Sequence, residues 1–280
     1  MKRQWRRAGK PDRIRMEKFL RSHEYYCVTA CAKFLHKEPL HEQIWYLTNR
    51  DGVISAMLLR FGSMLFPVFG NTQDPPLPRF MKSFTGRIPL HAVQGLLDEA
   101  EILEATLAKL GYRAVEHRNC DLMTLDDPPE RRSPDPNLQG LTLRRPDITD
   151  LEAMYPIQAA YEKEEVLPRG AAFNPAACRF SLSNILAHEQ SLIACVGDRI
   201  VGKINTNASS FSRLQIGGVY VLPEYRNRGI GRRMTADFAG DLITQGRGLT
   251  LFVKKDNLAA QKIYRQVGFK TVGDYRISYY

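Results

Sequence analysis

Residues 217–231 read GGVYVLPEYRNRGIG, an apolar, strand-like run followed by a loop with two glycines. A helical pattern begins directly after it, since apolar residues recur every four positions from 234 to 242. The first turn of a helix offers unpaired backbone N–H groups and the positive end of the helix dipole, which stabilise a bound phosphate. Gly229 and Gly231 leave room for phosphate oxygens near the backbone. The sequence therefore predicts a phosphate-binding loop between a strand and a helix.

Two familiar phosphate-binding loops do not fit this stretch. A Walker loop needs GxxxxGK followed by Ser or Thr, and a dinucleotide-binding loop needs GxGxxG with an acidic residue about twenty positions later. The stretch instead resembles the RxxGxG motif of the GNAT superfamily of N-acetyltransferases. Residues 249–269, which include the run NLAAQKIYRQVGF, resemble the late strand and helix of that superfamily. The resemblance covers roughly residues 139–280.

The resemblance implies that the chain uses acetyl-CoA, or another acyl-CoA, as its cosubstrate. The backbone of Val219, Tyr220 and Val221 would bind the pantetheine arm as an added strand, and Asn257 would lie near the thiol. The loop that would hold the pyrophosphate consists of Arg226, Asn227, Arg228, Gly229, Ile230 and Gly231.

The same resemblance implies that Tyr264 is the general acid for the leaving thiolate. Acyl transfer to an amine needs a neutral amine, a positioned carbonyl and a protonated leaving sulfur. A tyrosine with an ordinary pKa of about 10 is protonated at neutral pH and can donate that proton. The N–H of Val221 would polarise the thioester carbonyl. Two structural interpretations stay open: Tyr264 as a core aromatic residue, and Asn257 as a helix N-cap.

The general base is harder to assign, because residues 217–222 contain no acidic side chain. Residues 161–165 read YEKEE, and in this fold they would lie near the acceptor. Glu164 and Glu165 are therefore the predicted bases, with a solvated, charged helix end as the alternative.

The order of predicted elements indicates a mixed α/β or α+β fold. In the second half, the predicted strands are 141–144, 191–196, 200–204, 216–222 and 249–253, with one or two more in 270–280, and the predicted helices are 147–161, 233–245 and 257–267. In the first half, the predicted helices are 14–35 and 93–110, and the predicted strands are 44–48, 53–59, 64–68, 112–115 and 121–125. Helix, hairpin and strand recur, so the first half is predicted to be a degenerate GNAT-like repeat.

Residues 126–137 contain four prolines and almost no apolar side chain, which is typical of a linker. The predicted division is an N-terminal α/β domain at 1–126, a Pro-rich linker at 127–138 and an acyltransferase domain at 139–280. A second Pro-rich stretch, residues 72–78, is interpreted as a long loop.

Composition narrows the class of protein. The chain has 280 residues, 44% hydrophobic and 25% charged, as expected of a globular protein. It shows neither a membrane-spanning run nor a signal-peptide core, which predicts a cytoplasmic location without membrane contact. The five cysteines show no metal-like spacing, so we expect packing thiols and no metal site. Cys27 and Cys31 lie one helical turn apart. For these two residues, core packing is the favoured interpretation and a redox pair the less favoured one.

The net charge of +10 suits an anionic partner, and basic residues cluster within residues 1–15. A solvated, frayed terminus is the favoured interpretation of that cluster, and a nucleic-acid-binding arm is the alternative.

The leading function is transfer of an acetyl or short acyl group from acyl-CoA to a primary amine, by direct attack in a ternary complex. The acceptor would be a small molecule or a protein, and the enzyme a monomer or dimer. A non-catalytic acyl-CoA-binding or sensing protein is the alternative.

Overall fold

The computed structural model describes residues 4–36, 44–70, 72, 75, 81, 89–129 and 138–280. The chain divides into two compact units, Met1–Leu122 with Val272–Tyr280, and Met123–Thr271. Most of the predicted linker and of the Pro-rich loop lies outside the described residues. The predicted domain boundaries remain a prediction.

Within the described ranges the chain forms twelve β-strands and six α-helices. The strands are β1 (Arg6–Arg7), β2 (Ile44–Thr48), β3 (Ile54–Phe61), β4 (Met64–Val68), β5 (Ala92–Leu96), β6 (Glu116–Leu125), β7 (Leu141–Arg144), β8 (Ser191–Val196), β9 (Arg199–Ser209), β10 (Arg213–Val221), β11 (Gly248–Lys254) and β12 (Lys270–Tyr279). The helices are α1 (Arg13–His36), α2 (Leu97–Lys109), α3 (Leu151–Tyr161), α4 (Pro175–His188), α5 (Ile230–Thr244) and α6 (Leu258–Val267). Short helical segments lie at Lys10–Asp12, Ile148–Asp150, Glu162–Val166 and Pro223–Tyr225.

The first unit has a mixed sheet. Strands β1 to β4 pair in antiparallel order, β5 pairs in parallel with β4, and β12 pairs antiparallel with β5. Leu103 and Leu107 of α2 are fully buried in the same apolar cluster as Leu58 of β3 and Val93 of β5. Helix α2 therefore contributes its apolar stripe to the core of this unit.

The second unit also has a mixed sheet, with a core on each of its faces. Strands β7, β8, β9 and β10 pair in antiparallel order, and β11 pairs in parallel with β10. Met234 and Phe238 of α5 are fully buried in one apolar cluster. Met154 of α3 and Leu182 of α4 are buried in another cluster that includes Tyr220 of β10. Helices thus flank this sheet, and the predicted mixed α+β class is confirmed.

Three predicted elements need correction. Residues 92–96 form strand β5, and the following helix starts only at Leu97, because β5 is needed as a partner of both β4 and β12. Residues 112–115, predicted as a strand, lie outside any strand, and the strand predicted at 121–125 begins earlier and spans Glu116–Leu125. Helix α4 was not predicted, although Asn174 caps its N-terminus by accepting a hydrogen bond from the N–H of Ala177.

The described part of the basic N-terminus is structured. Arg6 and Arg7 pair with Tyr46 and Trp45 of β2. Helix α1 starts at Arg13, so this part of residues 1–15 is not a frayed terminus. The favoured interpretation was therefore wrong about fraying, although Arg6 and Arg7 are exposed to solvent as it held. Residues 1–3 lie outside the described residues, and nucleic-acid binding remains untested.

Both units contain three successive antiparallel strands, the third of which pairs in parallel with the next strand. This common order is compatible with the predicted repeat, which remains a prediction.

None of the helices found in the described ranges combines the length and the apolar character needed to cross a membrane.

Candidate functional site

Strands β10 and β11 pair over only part of their length. Their parallel ladder runs from Arg213 opposite Gly248 to Ile216 opposite Leu251, whereas β10 continues to Val221 and β11 to Lys254. In the described ladder, residues 217–221 of β10 and 252–254 of β11 are therefore not paired with each other. We call the gap between these two segments the slot. An extended ligand with amide groups could bind there as an additional strand.

A β-bulge lies where the slot begins. On the other edge of β10, Gly217 pairs with Asn205 and Tyr220 with Lys203, so β10 has one residue more than β9 over this interval. Gly218, inside the bulge, has a φ of 59°. A bulge increases the local twist of a strand and bends it. It therefore offers a physical reason why the ladder between β10 and β11 ends at Ile216.

The loop after β10 shapes the N-terminus of α5. Asn227 and Gly229 have φ values of 61° and 84°, and Gly229 is the N-cap of the helix. No side chain caps this terminus, and the N–H of Arg233 donates to the carbonyl of Gly229 at 3.0 Å. The amides of Ile230 and Gly231 precede that hydrogen bond and belong to the first turn. This geometry suits an anion such as a pyrophosphate.

The two arginines of the loop bind protein groups in this structure. Arg226 donates from Nε to the carbonyl of Val221 at 2.9 Å and from Nη2 to Glu164 Oε2 at 2.8 Å. Arg228 donates to the carbonyl of Glu224 at 2.9 Å. These contacts do not show either guanidinium placed to bind a phosphate. The predicted role of the two arginines in phosphate binding therefore remains a prediction.

A five-residue π-helix, Glu162–Val166, follows α3 and connects to both strands of the slot. Glu164 accepts hydrogen bonds from Tyr220 of β10 at 2.7 Å and from Arg226 at 2.8 Å. Glu165 forms an ion pair of 2.8 Å with Lys254 of β11. Single π-helical turns are rare and occur frequently at functional sites. The two adjacent carboxylates therefore lie at the slot but bind opposite strands.

Asn257 and Tyr264 lie on the α6 side of the same site. The Asn257 side chain accepts a hydrogen bond from the N–H of Ala260 at 3.1 Å and lies 3.5 Å from Glu165 Oε1. It is thus a helix N-cap, as the structural interpretation held. The Tyr264 ring is 7% exposed and lies 5.9 Å from the ring of Phe269. It therefore also belongs to the core.

The surroundings shift the pKa values of three of these groups. The guanidinium of Arg226 lowers the pKa of Glu164, which is therefore ionised and weakly basic. Burial, together with the bond to Glu164, raises the pKa of Tyr220 to about 12. Burial also raises the pKa of Tyr264, and Tyr161 and Glu165 contribute to that rise. Tyr264 is accordingly a protonated phenol with the Glu165 carboxylate in its surroundings.

Sequence reasoning missed Lys203 and Lys254. Lys203 is 1% exposed, and it interrupts the otherwise apolar run of residues 200–204. A lysine inside a buried strand is uncommon, and this was the available signal. Lys254 ends β11 and gave no signal of its own, because its contact with Glu165 depends on the tertiary structure.

A slot along a strand, a helix N-terminus without a side-chain cap, and a buried tyrosine with two carboxylates at the slot suit an acyl-CoA-dependent transferase. Comparison with known proteins agrees with that class, since residues 151–269 match the acetyltransferase (GNAT) family. These residues thus form a GNAT-family domain, a GNAT-type N-acetyltransferase that takes acetyl-CoA as its acyl donor. A search of curated proteins found no match to the sequence.

Solved structures extend the likeness to the whole chain. A Drosophila protein is similar with a TM-score of 0.66 and 14% identity, over 100% of this chain and 99% of its own. A GCN5-related N-acetyltransferase from Sphaerobacter thermophilus gives a TM-score of 0.63 and 17% identity, over 99% and 95%. A GNAT-family acetyltransferase from Colwellia psychrerythraea gives 0.54 and 10%, over 99% and 98%. At such identities, the likeness shows a common fold.

Proposed function

We propose that the chain transfers an acetyl or short acyl group from acyl-CoA to a primary amine by direct attack in a ternary complex. The observation that carries this proposal is the slot between β10 and β11, since Val221 at the end of β10 lies against Gly231 in the first turn of α5. A pantetheine arm is an extended chain with two amides, and such a chain matches the exposed edge of a strand. The diphosphate at its end matches the first turn of α5.

The residues proposed for binding are those of the slot and the loop. The backbone of Val219, Tyr220 and Val221 would hold the arm, and residues 226–231 would hold the pyrophosphate. One carbonyl has to be shared, because Val221 already accepts a hydrogen bond from Arg226. The N–H of Val221 is the proposed donor to the thioester oxygen. Bound in this way, the acyl-CoA supplies an activated carbonyl.

For the base, we propose Glu165 over Glu164. The Glu164 carboxylate accepts hydrogen bonds from both Tyr220 and Arg226, and its pKa is lowered, so it binds a proton weakly. Glu165 forms an ion pair with Lys254 at the end of β11, and its charge contributes to the raised pKa of Tyr264. A carboxylate close enough to influence the proposed acid is a candidate to take the proton that the amine loses.

In the proposed reaction, Glu165 and Tyr264 carry out the two proton transfers. As the amine nitrogen bonds to the acyl carbon, Glu165 takes the amine proton. As the carbon–sulfur bond breaks, Tyr264 gives its proton to the CoA sulfur. The products are an amide and CoA thiol, and proton exchange with solvent restores both side chains. The raised pKa of Tyr264 means that the phenol still carries its proton when the thiolate develops, and transfer to that sulfur is driven by the departure of the thiolate from the acyl carbon.

The test measures thiol release from acetyl-CoA with a panel of primary amines. Amine-dependent release supports transfer, whereas tight acetyl-CoA binding without release would support the sensing alternative. Tyr264→Phe should lower kcat by about 100-fold or more, the usual contribution of a general acid, with little change in acetyl-CoA affinity. Tyr275→Phe, at a buried tyrosine of the other unit, serves as the control. Equal loss of affinity and turnover in Tyr264→Phe would contradict the assigned role.

A further inference from the structure

Lys203 is a buried cation next to the bulge, and the chemistry described above does not use it. Its Nζ donates to Asn205 Oδ1 at 2.9 Å and to the carbonyl of Gly218 at 2.9 Å. The same nitrogen lies 4.5 Å from the centre of the Tyr161 ring. An ammonium group has three N–H donors, and these two oxygens and one aromatic face give each of them an acceptor. The geometry therefore suits the charged form of Lys203.

Gly218 can make this contact because it is a glycine. A Cβ atom at this position would lie 2.0 Å from Asn205 Oδ1 and 2.6 Å from Lys203 Nζ, and its φ of 59° is rarely adopted by other residues. The extra residue of a bulge is left out of the strand ladder, so its peptide group needs another partner. Lys203 provides that partner for the carbonyl of Gly218.

The neighbouring asparagines extend this arrangement along β9. Asn205 donates from Nδ2 to the carbonyl of Thr206 at 2.9 Å and to Asn207 Oδ1 at 3.0 Å. Asn207 in turn lies against Gly217, where a Cβ would be only 1.9 Å from Asn207 Nδ2. Side chains of β9 thus contact the β10 backbone at both Gly217 and Gly218.

We propose that Lys203 is a positioning residue for the acyl donor. By holding the carbonyl of Gly218, it fixes the bulge, and the bulge directs the backbone of residues 219–221 into the slot. This inference rests on the proposed binding of acyl-CoA along β10. Lys203 itself is too deeply buried to touch the donor.

The N–H donors of Lys203 Nζ are what an apolar replacement cannot supply. Without the ammonium, the Gly218 carbonyl and Asn205 Oδ1 lose a buried donor, and a buried acceptor without a partner is unfavourable. The bulge would then relax toward regular pairing, and the strand edge would no longer match the arm. Burial lowers the pKa of Lys203 to about 7, against the opposing effects of Glu162 and Cys178, so the ammonium is well populated at and below neutral pH.

The test compares two ligands on the full chain carrying Lys203→Met, which keeps an unbranched apolar stem and removes the ammonium. One ligand is acetyl-CoA, and the other is the 3′-phosphorylated ADP portion of CoA, which lacks the pantetheine arm. By calorimetry we expect acetyl-CoA affinity to fall by about ten-fold or more, comparable to losing one or two backbone hydrogen bonds. Affinity for the ADP portion should change by less than about two-fold, because the loop at α5 is unaltered.

Lys270→Met, at an exposed lysine, is the matched control and should bind both ligands as the wild type does. Unchanged acetyl-CoA affinity in Lys203→Met would overturn the proposal, and so would an equal loss for both ligands, which indicates general disruption. If Lys203→Met does not fold, Lys203→Gln is compared in its place, and the same selective loss of acetyl-CoA affinity is expected because its shorter stem does not bring an N–H donor to the Gly218 carbonyl. Wild-type protein that binds neither ligand would instead refute the proposed function.

Discussion

Glu164 and Glu165 are neighbours in the sequence, yet their surroundings differ. Glu164 is held by Tyr220 and Arg226, and Glu165 by Lys254, with Asn257 Nδ2 3.5 Å from its Oε1. From the sequence, both carboxylates have the same predicted role, because a run of charged residues does not show which strand each side chain will contact. In the π-helix the two side chains contact different strands, Glu164 contacting β10 and Glu165 contacting β11. These contacts depend on how the π-helix packs in the folded unit.

This difference predicts different kinetics for two matched variants. Glu165→Gln should lower kcat by about 100-fold or more if it removes the general base. Glu164→Gln removes a carboxylate of the same size from the neighbouring position but keeps an oxygen acceptor for Tyr220 and Arg226. We expect it to change kcat by less than about ten-fold, mainly through weaker positioning of the loop. Steady-state thiol release measures both variants, and the reverse order would assign the base to Glu164.

At the scale of elements, glycines occupy both ends of helix α5 in the left-handed region. Gly229 caps its N-terminus with a φ of 84°, and Gly246 follows its C-terminus with a φ of 75°. Substitution by alanine should cost about 1–2 kcal/mol of unfolding free energy at either position, because Cβ disfavours this conformation. The two sites thus provide variants with similar strain at opposite ends of one helix.

Only the N-terminal variant should affect ligand binding. Gly229→Ala is expected to weaken both acetyl-CoA and the ADP portion of CoA, since it disturbs the amides of the first turn. Gly246→Ala, where an added Cβ meets no atom within 4 Å, should leave both affinities unchanged. Denaturant unfolding and calorimetry measure the two effects. If Gly229→Ala binds both ligands normally, the pyrophosphate does not lie at this helix end.

Elements with strong local signals were predicted well. The turn between β8 and β9 and the helices before Gly246 and Gly268 follow from glycine placement and apolar spacing. Elements that form a strand or a helix because of contacts with residues distant in the sequence were predicted poorly. Strand β5 is a strand because β4 and β12 pair with it, although residues 92–96 also continue the helical pattern of α2. Likewise, the sequence did not predict the bulge at the slot, because a bulge depends on how β10 pairs with β9; the adjacent Gly217 and Gly218 were the available signal.

At the scale of the whole molecule, each unit buries an ionisable group whose pKa is shifted to about 7. Glu99 of the first unit accepts hydrogen bonds from Tyr26, Phe69 and Gly70. Burial nevertheless raises its pKa from 4.5 to about 7. Lys203 of the second unit is shifted by burial in the opposite direction, from 10.5 to about 7. Both shifts reflect the cost of removing a charge from water.

The two shifts predict opposite dependences of stability on pH. Between about pH 4.5 and 7, folded Glu99 keeps a proton that the unfolded chain has lost, so its contribution to the free energy of unfolding falls as pH rises. Between about pH 7 and 10.5, the unfolded chain keeps the Lys203 proton that the folded chain has lost, so that contribution rises with pH. Each slope is at most about 1.4 kcal/mol per pH unit.

Denaturant unfolding of the wild type, Glu99→Gln and Lys203→Met over this pH range separates the two groups. Glu99→Gln should flatten the profile below neutral pH and leave the alkaline limb, because glutamine carries no titrating proton but keeps an oxygen for Tyr26 and the two backbone amides. Lys203→Met should flatten only the alkaline limb, whatever its effect on overall stability. Both variants following the wild-type curve would mean that water reaches these side chains in the folded protein, and the burial that shifts their pKa values would then be absent.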